Sequence, residues 1–250
     1  MNELKKDTPI VEMIGVHKWF GGVHALKGVD FNVRHGEIVG LIGDNGAGKS
    51  TLIKILAGVY PPDKGRILFD GREVHFKSPK DAQRHGITTV YQELALVDTL
   101  DVAANIFLGR EPAKFGGESL LAFLSRTKMR EMSKRLLDSL RIEMPLDALV
   151  GTLSGGQRQA VAISRALRQE PKLVIMDEPT AALAVQEANK VLDLARRLKE
   201  KGISVIFISH TLPEVFSVAD RIVVLRKGEK VADCPTQELT IDEAVKLMVG

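Results

Sequence analysis

The hydrophobic pattern opens in the register of strands. Ile10-Val11-Glu12-Met13 is a short apolar run, Val29, Phe31 and Val33 alternate with polar neighbours, and Ile38-Val39-Gly40-Leu41-Ile42 is apolar throughout. Continuous apolarity in the last run predicts a strand buried on both faces. Gly43 to Ser50 follows it directly, and Thr51-Leu52-Ile53-Lys54-Ile55-Leu56 continues as a predicted helix, so strand, glycine loop and helix stand in sequence. Asp70-Gly71, between Ile67-Leu68-Phe69 and Val74-His75-Phe76, has the composition of a tight hairpin turn that needs positive φ. An antiparallel element is therefore expected beside a parallel sheet. Ser78-Pro79 predicts the N-cap and first-turn proline of a short helix, ahead of a strand over Ile87 to Tyr91.

The period then changes. From about Leu94 to Leu167 there is little strand signal, whereas Met129, Met132, Leu136 and Leu140 recur at helical spacing. This predicts a helical subdomain inserted into an α/β core, with Glu111 to Ser125, around Gly116-Gly117, as a surface loop between helices. The core resumes with Leu173-Val174-Ile175-Met176, a helix carrying Ala188, Val191, Leu192, Ala195 and Leu198 on one face, and a strand over Ile203 to Ile208. Thr211-Leu212-Pro213-Glu214 and Thr240-Ile241-Asp242-Glu243 both fit capping boxes, and the C-terminal stretch is expected to be hairpin and helix. The expected organisation is one domain over 1–250. Residues 1–92 and 166–250 would form the α/β core with its antiparallel β subdomain, and 93–165 the helical insertion.

Composition narrows the classes. Hydrophobic residues at 44% and charged residues at 27% are ordinary globular values, and neither a disordered nor a fibrous chain fits them. The formal net charge of +3 comes from interleaved acids and bases, which gives nucleic-acid binding no support. Cys234 is the single cysteine, so an internal disulfide framework and a cysteine-built zinc site are excluded. The stretch from Met1 to Pro9 is polar and no run of 18 apolar residues occurs. The expectation is a chain that stays in the cytoplasm and reaches a membrane only through a partner.

Chemistry concentrates in three segments. Gly43-Asp44-Asn45-Gly46-Ala47-Gly48-Lys49-Ser50 satisfies the P-loop pattern in the strand-to-helix context that the pattern requires. Its glycines let backbone N–H groups close around phosphate oxygens, Lys49 places a cation at the transferred phosphoryl group, and Ser50 offers a hydroxyl to Mg²⁺. The apolar strand Leu173 to Met176 ends in Asp177-Glu178. A P-loop enzyme needs an acid at a strand end to hold Mg²⁺, the place of Asp177, and Glu178 could then orient and deprotonate the attacking water. Leu153-Ser154-Gly155-Gly156-Gln157 opens a helix with a hydroxyl, two close-approach glycines and unpaired N–H groups. By itself this last segment reads equally as a structural helix cap.

A P-loop, then Leu-Ser-Gly-Gly-Gln, then an apolar strand with Asp-Glu, in that order, resembles the ATP-binding cassette (ABC) ATPases over essentially the whole chain. The five-residue signature is that family's most specific motif. The resemblance implies an α/β P-loop NTPase core of the ABC type with an antiparallel β subdomain and an inserted α-helical subdomain. It also implies ATP hydrolysis with Mg²⁺, and a nucleotide-binding set running from Gly43 through Ser50 to Thr51 and including Ser154, Gly155, Gly156 and Gln157. Gln92 looks like the family glutamine that contacts Mg²⁺ and water where the permease presses, and His210 resembles the switch histidine that contacts the γ-phosphate. Phe20 looks like the aromatic that stacks on adenine, with Trp19 the competing choice. One position departs from the family pattern: Ser-Ala-Leu-Asp is common after Glu-Pro-Thr, and this chain has Ala181-Ala182-Leu183-Ala184.

Within the importers, Gly43-Asp44-Asn45-Gly46, Tyr91-Gln92-Glu93-Leu94, Asn105 to Arg110 and Glu178 to Leu183 look like the ATPases of monosaccharide importers of the ribose, xylose and fructose type. Many such relatives carry two cassettes in one chain, whereas this sequence has a single P-loop and a single signature. The resemblance implies a head-to-tail homodimer, a multi-span permease and a periplasmic or lipid-anchored sugar-binding protein acting through it, on the cytoplasmic face of the inner membrane, with no nucleic acid. The alternatives are the ATPase of a branched-chain amino-acid importer, or a non-transport ABC ATPase acting on nucleic acid or ribosomes.

Overall fold

The computed structural model describes residues 9–112 and 125–250. Most of the predicted Glu111 to Ser125 loop, and nearly all of the polar opening stretch, lie outside the described residues. The contacts divide the chain into two compact units. The first comprises 9–92, Pro171–Ala181 and Leu192–Gly250, and the second Glu93–Glu170 and Ala182–Val191.

The first unit holds two sheets. In the antiparallel sheet β1 (Pro9–Phe20) lies between β2 (Val23–Arg34) and β4 (Lys64–Phe69), and β5 (Arg72–Val74) closes the order β2-β1-β4-β5. β1 is far longer than its opening apolar run because paired backbone carries it on to Phe20, with register shifts on the way. Asp70-Gly71 turns β4 into β5 with φ of 48° and 72°, the positive values that its composition predicts. The second sheet contains β3 (Ile38–Ile42), β6 (Ile87–Val90), β7 (Leu173–Asp177), β8 (Ser204–Ile208), β9 (Arg221–Arg226) and β10 (Glu229–Pro235), in the order β10-β9-β3-β8-β7-β6. Only the β9–β10 pair is antiparallel. Every residue of β3 and β8 is buried, as two-sided apolar strands require. One hydrophobic cluster joins Val11, Met13 and Phe31 of the first sheet, Leu52 and Leu56 of α1 (Lys49–Leu56), and Leu41, Ile175 and Ile206 of the second.

Three local expectations are corrected. Pro79 opens α2 (Pro79–Arg84), yet the Ser78 side chain makes no capping hydrogen bond. Thr211 precedes a helix without capping it through its side chain, whereas Thr240 and Glu243 form the full reciprocal box on the C-terminal helix over Ile241–Val249. The strand before Gln92 ends at Val90, one residue short of the predicted Tyr91.

The second unit is helical. It contains α3 (Val102–Phe107), α4 (Arg126–Ser139), α5 (Gly155–Leu167) and the opening of α6 (Val185–Glu200). Val102, Ile106 and Phe107 pack with Met129, Leu137, Val150 and Val161. The buried face of α4 is Met129, Ser133 and Leu137, while Met132 is exposed. The periodicity holds at Met129, Leu136 and Leu140 and fails at Met132, whose inward place the polar Ser133 takes. This unit runs on to Glu170 and takes in 182–191, which the pattern along the chain assigns to the core.

A buried ion cluster ties the first unit's sheets together. Arg221, on β9, grips both carboxylate oxygens of Glu37 at 2.8 and 3.1 Å, donates to the Asn32 carbonyl at 2.8 Å and pairs with Asp233. Burial opposes the Arg221 charge, but the hydrogen bonds and charges of Glu37 and Asp233 outweigh it and raise its pKa. For Asp233 burial pushes upward, and the hydrogen bonds of Lys230 and Arg221 prevail and hold it below the ordinary value of 3.8. Arg221→Ala, which takes both guanidinium hydrogen bonds from Glu37 and leaves Asp233 with Lys230 alone, is expected to destabilise the protein by about 3–5 kcal/mol in urea titration. With its folded pKa depressed, the Asp233 contribution is complete above the unfolded carboxylate value and is lost as pH falls below it. The stability difference between variant and parent should therefore narrow under acid, by the part that Arg221 contributes to holding Asp233 ionised.

Candidate functional site

The chain places its chemistry at one end of the parallel strands. The glycine loop leaves the C-terminal end of β3, His210 follows β8, Asp177 ends β7 with Glu178 next, and Gln92 follows β6. Since β3, β8, β7 and β6 are neighbours in that order, four segments remote in sequence share one sheet edge. The C-terminal edge of such a sheet is where α/β folds bind ligands.

The loop is shaped by its surroundings. Gly43 has φ 152°, and a Cβ there would stand 2.3 Å from the Leu225 carbonyl oxygen, so no other residue fits. Lys49 Nζ donates to the Gly43 carbonyl at 2.6 Å and the Asp44 carbonyl at 3.2 Å, which folds the ammonium back over its own loop. Burial lowers the Lys49 pKa, and Glu178, Asp44 and Asp177 counter that in part. α1 begins at Lys49 with Gly48 in the left-handed region, and its first turn carries no acidic side chain, so the helix's positive end is left for an anion. A cavity of about 460 Å³ opens over residues Asp44 to Thr51. Sequence reasoning missed its other walls: Val23, His24, Ala25 and Lys27 of β2, and Lys227. Lys227-Gly228 is legible as a hairpin turn, but its approach is a tertiary fact. Gly228 N–H donates to the Ala47 carbonyl at 3.0 Å and its carbonyl accepts from Lys27 N–H at 2.8 Å.

Glu178 has φ 50°, a left-handed conformation uncommon outside glycine and a mark of strained functional backbone. Its N–H donates to the Ile208 carbonyl at 2.9 Å, and its Oε2 lies 2.8 Å from His210 Nδ1. Burial first, then the neighbouring Glu178 charge, pushes the Asp177 carboxyl above its usual value, against the pull of Lys54 and Lys49. Two adjacent carboxylates with the first half-buried, together with the Ser50 hydroxyl, are hard oxygen donors with surplus negative charge. That donor set fits Mg²⁺, which takes one or two protein oxygens and completes its shell from phosphate and water. No group of three or more His, Cys, Asp or Glu side chains able to hold a metal occurs among the described residues.

The two aromatic candidates differ in what they already touch. Trp19 is stacked against His24 at 4.1 Å and His17 at 5.4 Å between ring centroids, with the Lys64 ammonium 5.6 Å from its ring. Phe20 meets Tyr60 only edge-on and is 42% exposed. The Lys18 ammonium lies 5.7 Å from the Phe20 ring, so Phe20 differs from Trp19 in having no stacked aromatic neighbour, and it is not among the residues lining the loop cavity.

Ser154 to Gln157 lie in the helical unit. Ser154 Oγ accepts from Gln157 N–H at 3.4 Å and Gln157 Oε1 accepts from Ser154 N–H at 3.0 Å, a reciprocal box at the start of α5. A Cβ on Gly155 would meet Leu183 at 2.7 Å, and one on Gly156 would meet Glu187 at 3.0 Å. Both glycines thus pack closely against the segment that follows Ala182, and a larger residue at either would displace the Leu183 or Glu187 side chain. Ala184, where the family pattern has Asp, directly precedes α6, and its carbonyl accepts from Ala188 N–H at 2.9 Å.

A P-loop, paired acids at the next strand but one, and a histidine between them define a nucleotide-hydrolysing P-loop ATPase. A family model described as "ABC transporter" matches residues 26–181. The chain is 49% identical over 244 residues to the xylose/arabinose import ATP-binding protein of Sulfolobus acidocaldarius, covering 97% of this chain and 95% of that one. It is 47% identical over 242 residues to a ribose import ATP-binding protein of Rubrobacter xylanophilus, covering 97% of this chain but 47% of that one. The chain therefore spans nearly all of the first relative and about half the length of the second. Among solved structures, a nucleotide-free ATP-binding cassette from an ABC transporter superposes with a TM-score of 0.84 at 28% identity, covering 97% of this chain and 100% of that one. A dimeric post-hydrolysis cassette bound to ADP and Pi gives 0.73 at 27% identity, covering 90% and 98%. The chain belongs to the ABC transporter family, and it is an ATP hydrolase.

Proposed function

We propose that this ATPase drives import of a monosaccharide, and that the sheet edge formed by β3, β8, β7 and β6 is its hydrolytic site. The single observation that carries the site is the convergence of the P-loop, Asp177-Glu178, His210 and Gln92 on that edge. Lys49 and the loop N–H groups hold the β- and γ-phosphates, Phe20 stacks on adenine, and Ser50, Asp177 and Gln92 hold Mg²⁺. When bound, Mg²⁺ neutralises charge on the transferred phosphoryl group. Glu178 takes the proton of the attacking water, and His210, hydrogen-bonded to it, fixes the carboxylate's direction. Ser154, Gly155, Gly156 and Gln157 of a second copy complete each nucleotide site.

The cargo reading is supported by the relatives, which are named for xylose, arabinose, ribose and galactose import. A branched-chain amino-acid importer or a nucleic-acid or ribosome ATPase has no such support. Work would pass to a permease on the cytoplasmic membrane face, served by a sugar-binding protein. No helix among the described residues is long and apolar enough to cross a membrane. The docking element we assign is the segment after Gln92, which is held to the signature helix: Arg165 of α5 donates to the carbonyls of Leu94 and Ala95, and Arg158 pairs with Asp98 at 2.7 Å.

The test is uptake of labelled xylose, ribose and leucine by cells carrying the chain with its permease and binding protein. Sugar uptake is expected, and Leu94→Ala should lower it severalfold while the ATPase activity of the isolated subunit stays near normal. Leu96 is a poorer probe, because it packs against the helical core. Leucine uptake without sugar uptake would overturn the cargo. A proportional fall of both activities in the Leu94 variant would overturn the docking assignment.

A further inference from the structure

Glu214 sits in the first turn of α7 (Leu212–Val218), where its spacing from Thr211 predicts the acid of a capping box that Thr211 does not complete. Its Oε2 accepts two hydroxyl hydrogen bonds, from Thr180 Oγ1 at 2.5 Å and from Ser209 Oγ at 3.3 Å. Thr180 is 6% exposed and Ser209 is 2% exposed, so neither hydroxyl has ready access to water as an alternative acceptor. Ser209 Oγ in turn accepts from Thr211 N–H at 3.0 Å, which leaves its single proton for the carboxylate. An ionised carboxylate is acceptor-only and therefore matches two converging O–H donors.

The positions of those donors give the contact its meaning. Thr180 stands two residues after Glu178, and Ser209 stands directly before His210. The β7–β8 ladder ends at Asp177 opposite Ile208, so beyond the Glu178 N–H bond to Ile208 the two loops leave the sheet. Yet Glu178 must hold φ 50° and keep its carboxylate 2.8 Å from His210. A left-handed non-glycine residue persists only where its surroundings over-determine it. The Glu214 carboxylate is the bridge that joins the far side of both loops.

We infer that Glu214 is a positioning residue for hydrolysis, clamping the Pro179-Thr180 and Ser209-His210 loops through one shared carboxylate oxygen so that Glu178 and His210 meet in reactive geometry. Glu214 is not among the residues lining the loop cavity and acts through those two loops. The inference rests on the reading of Glu178 as the general base.

Steady-state ATPase kinetics, ATP binding and thermal unfolding of the full chain test it, with Glu214→Ala, Glu214→Gln, Thr180→Val and the Thr180→Val/Glu214→Ala double variant. Glu214→Ala should lower kcat at least ~10-fold, the scale of lost supporting hydrogen bonds around a reacting group, with KM for ATP within about twofold of the parent. Glu214→Gln, which keeps an acceptor oxygen at the same reach, should recover most of that loss. The double variant should fall no further than Glu214→Ala alone, because both remove one bridge. A lowered unfolding temperature with unchanged kcat would overturn the proposal, and so would equal losses in the Ala and Gln variants or fully additive losses in the double variant. Glu178→Gln, run alongside, separates the two readings. An inactive Glu178→Gln beside a fully active Glu214→Ala refutes the clamp alone, whereas an active Glu178→Gln refutes the base on which it rests.

Discussion

Replacing Glu178 by Gln is expected to leave ATP binding intact and to lower hydrolysis at least ~10²-fold, the scale of general-base contributions. The amide has the carboxylate's size and branching, so it accepts the same φ of 50° and keeps an oxygen for the His210 contact. It has no basic oxygen for the proton of the attacking water. In the function proposed above Asp177 is committed to the metal, and so does not replace the lost base. Because the base acts only as the transition state forms, kcat and kcat/KM should fall together while the dissociation constant for ATP stays put. Calorimetric ATP binding and phosphate release measured on the same preparation decide it. Near-normal turnover would remove Glu178 from the role.

The second large effect concerns two lesions that should rescue each other. Lys49→Ala deletes the ammonium that lies over the Gly43 and Asp44 carbonyls at the mouth of the loop cavity, and should weaken nucleotide binding itself. Ser154→Arg removes the N-cap hydroxyl of α5 and places a long, charged side chain beside the closely packed Gly155 and Gly156. Each variant alone should be inactive. In a mixed dimer with head-to-tail sites, one site receives both lesions and the other combines an intact Lys49 with an intact Ser154 from the partner. Recovered ATPase activity on mixing, absent from either variant alone, is the expected result. Heterodimer formation and nucleotide trapping are measured together with it. A heterodimer that forms and traps ATP through contacts from one chain only would refute the shared site.

Much of the site is legible along the chain because its parts are local. The P-loop needs glycines at fixed offsets between a strand and a helix, and the signature cap needs a hydroxyl and an amide three residues apart; both are satisfied in the structure at Gly43 to Ser50 and Ser154 to Gln157. Asp177 and Glu178 are legible for the same reason, as acids that end an apolar run. Gln92 and His210 carry no local signal of their own, and the family resemblance is what singled them out. Lys227, Lys27 and His24 at the cavity carry no such signal, since nothing within a few residues of them differs from an ordinary surface turn or strand, and Glu214 is legible only as a capping-box acid although its carboxylate turns to Thr180 and Ser209.

The sequence by itself determined the elements and their chemistry: a two-sided apolar strand at Ile38 to Ile42, a hairpin at Asp70-Gly71, a helical insertion, and three motifs in order. Those features depend on spacings of two to four residues, where backbone sterics and side-chain period act without regard to the rest of the chain. Only the tertiary structure decided the strand order β3-β8-β7-β6, which puts Lys49, His210, Glu178 and Gln92 on one edge. It alone decided that Ser133 and not Met132 turns inward on α4, and that 182–191 groups with the signature helix. Each of these is settled by packing between segments far apart in the chain, and the free energy of such contacts is a property of the partners that meet, which no local pattern encodes.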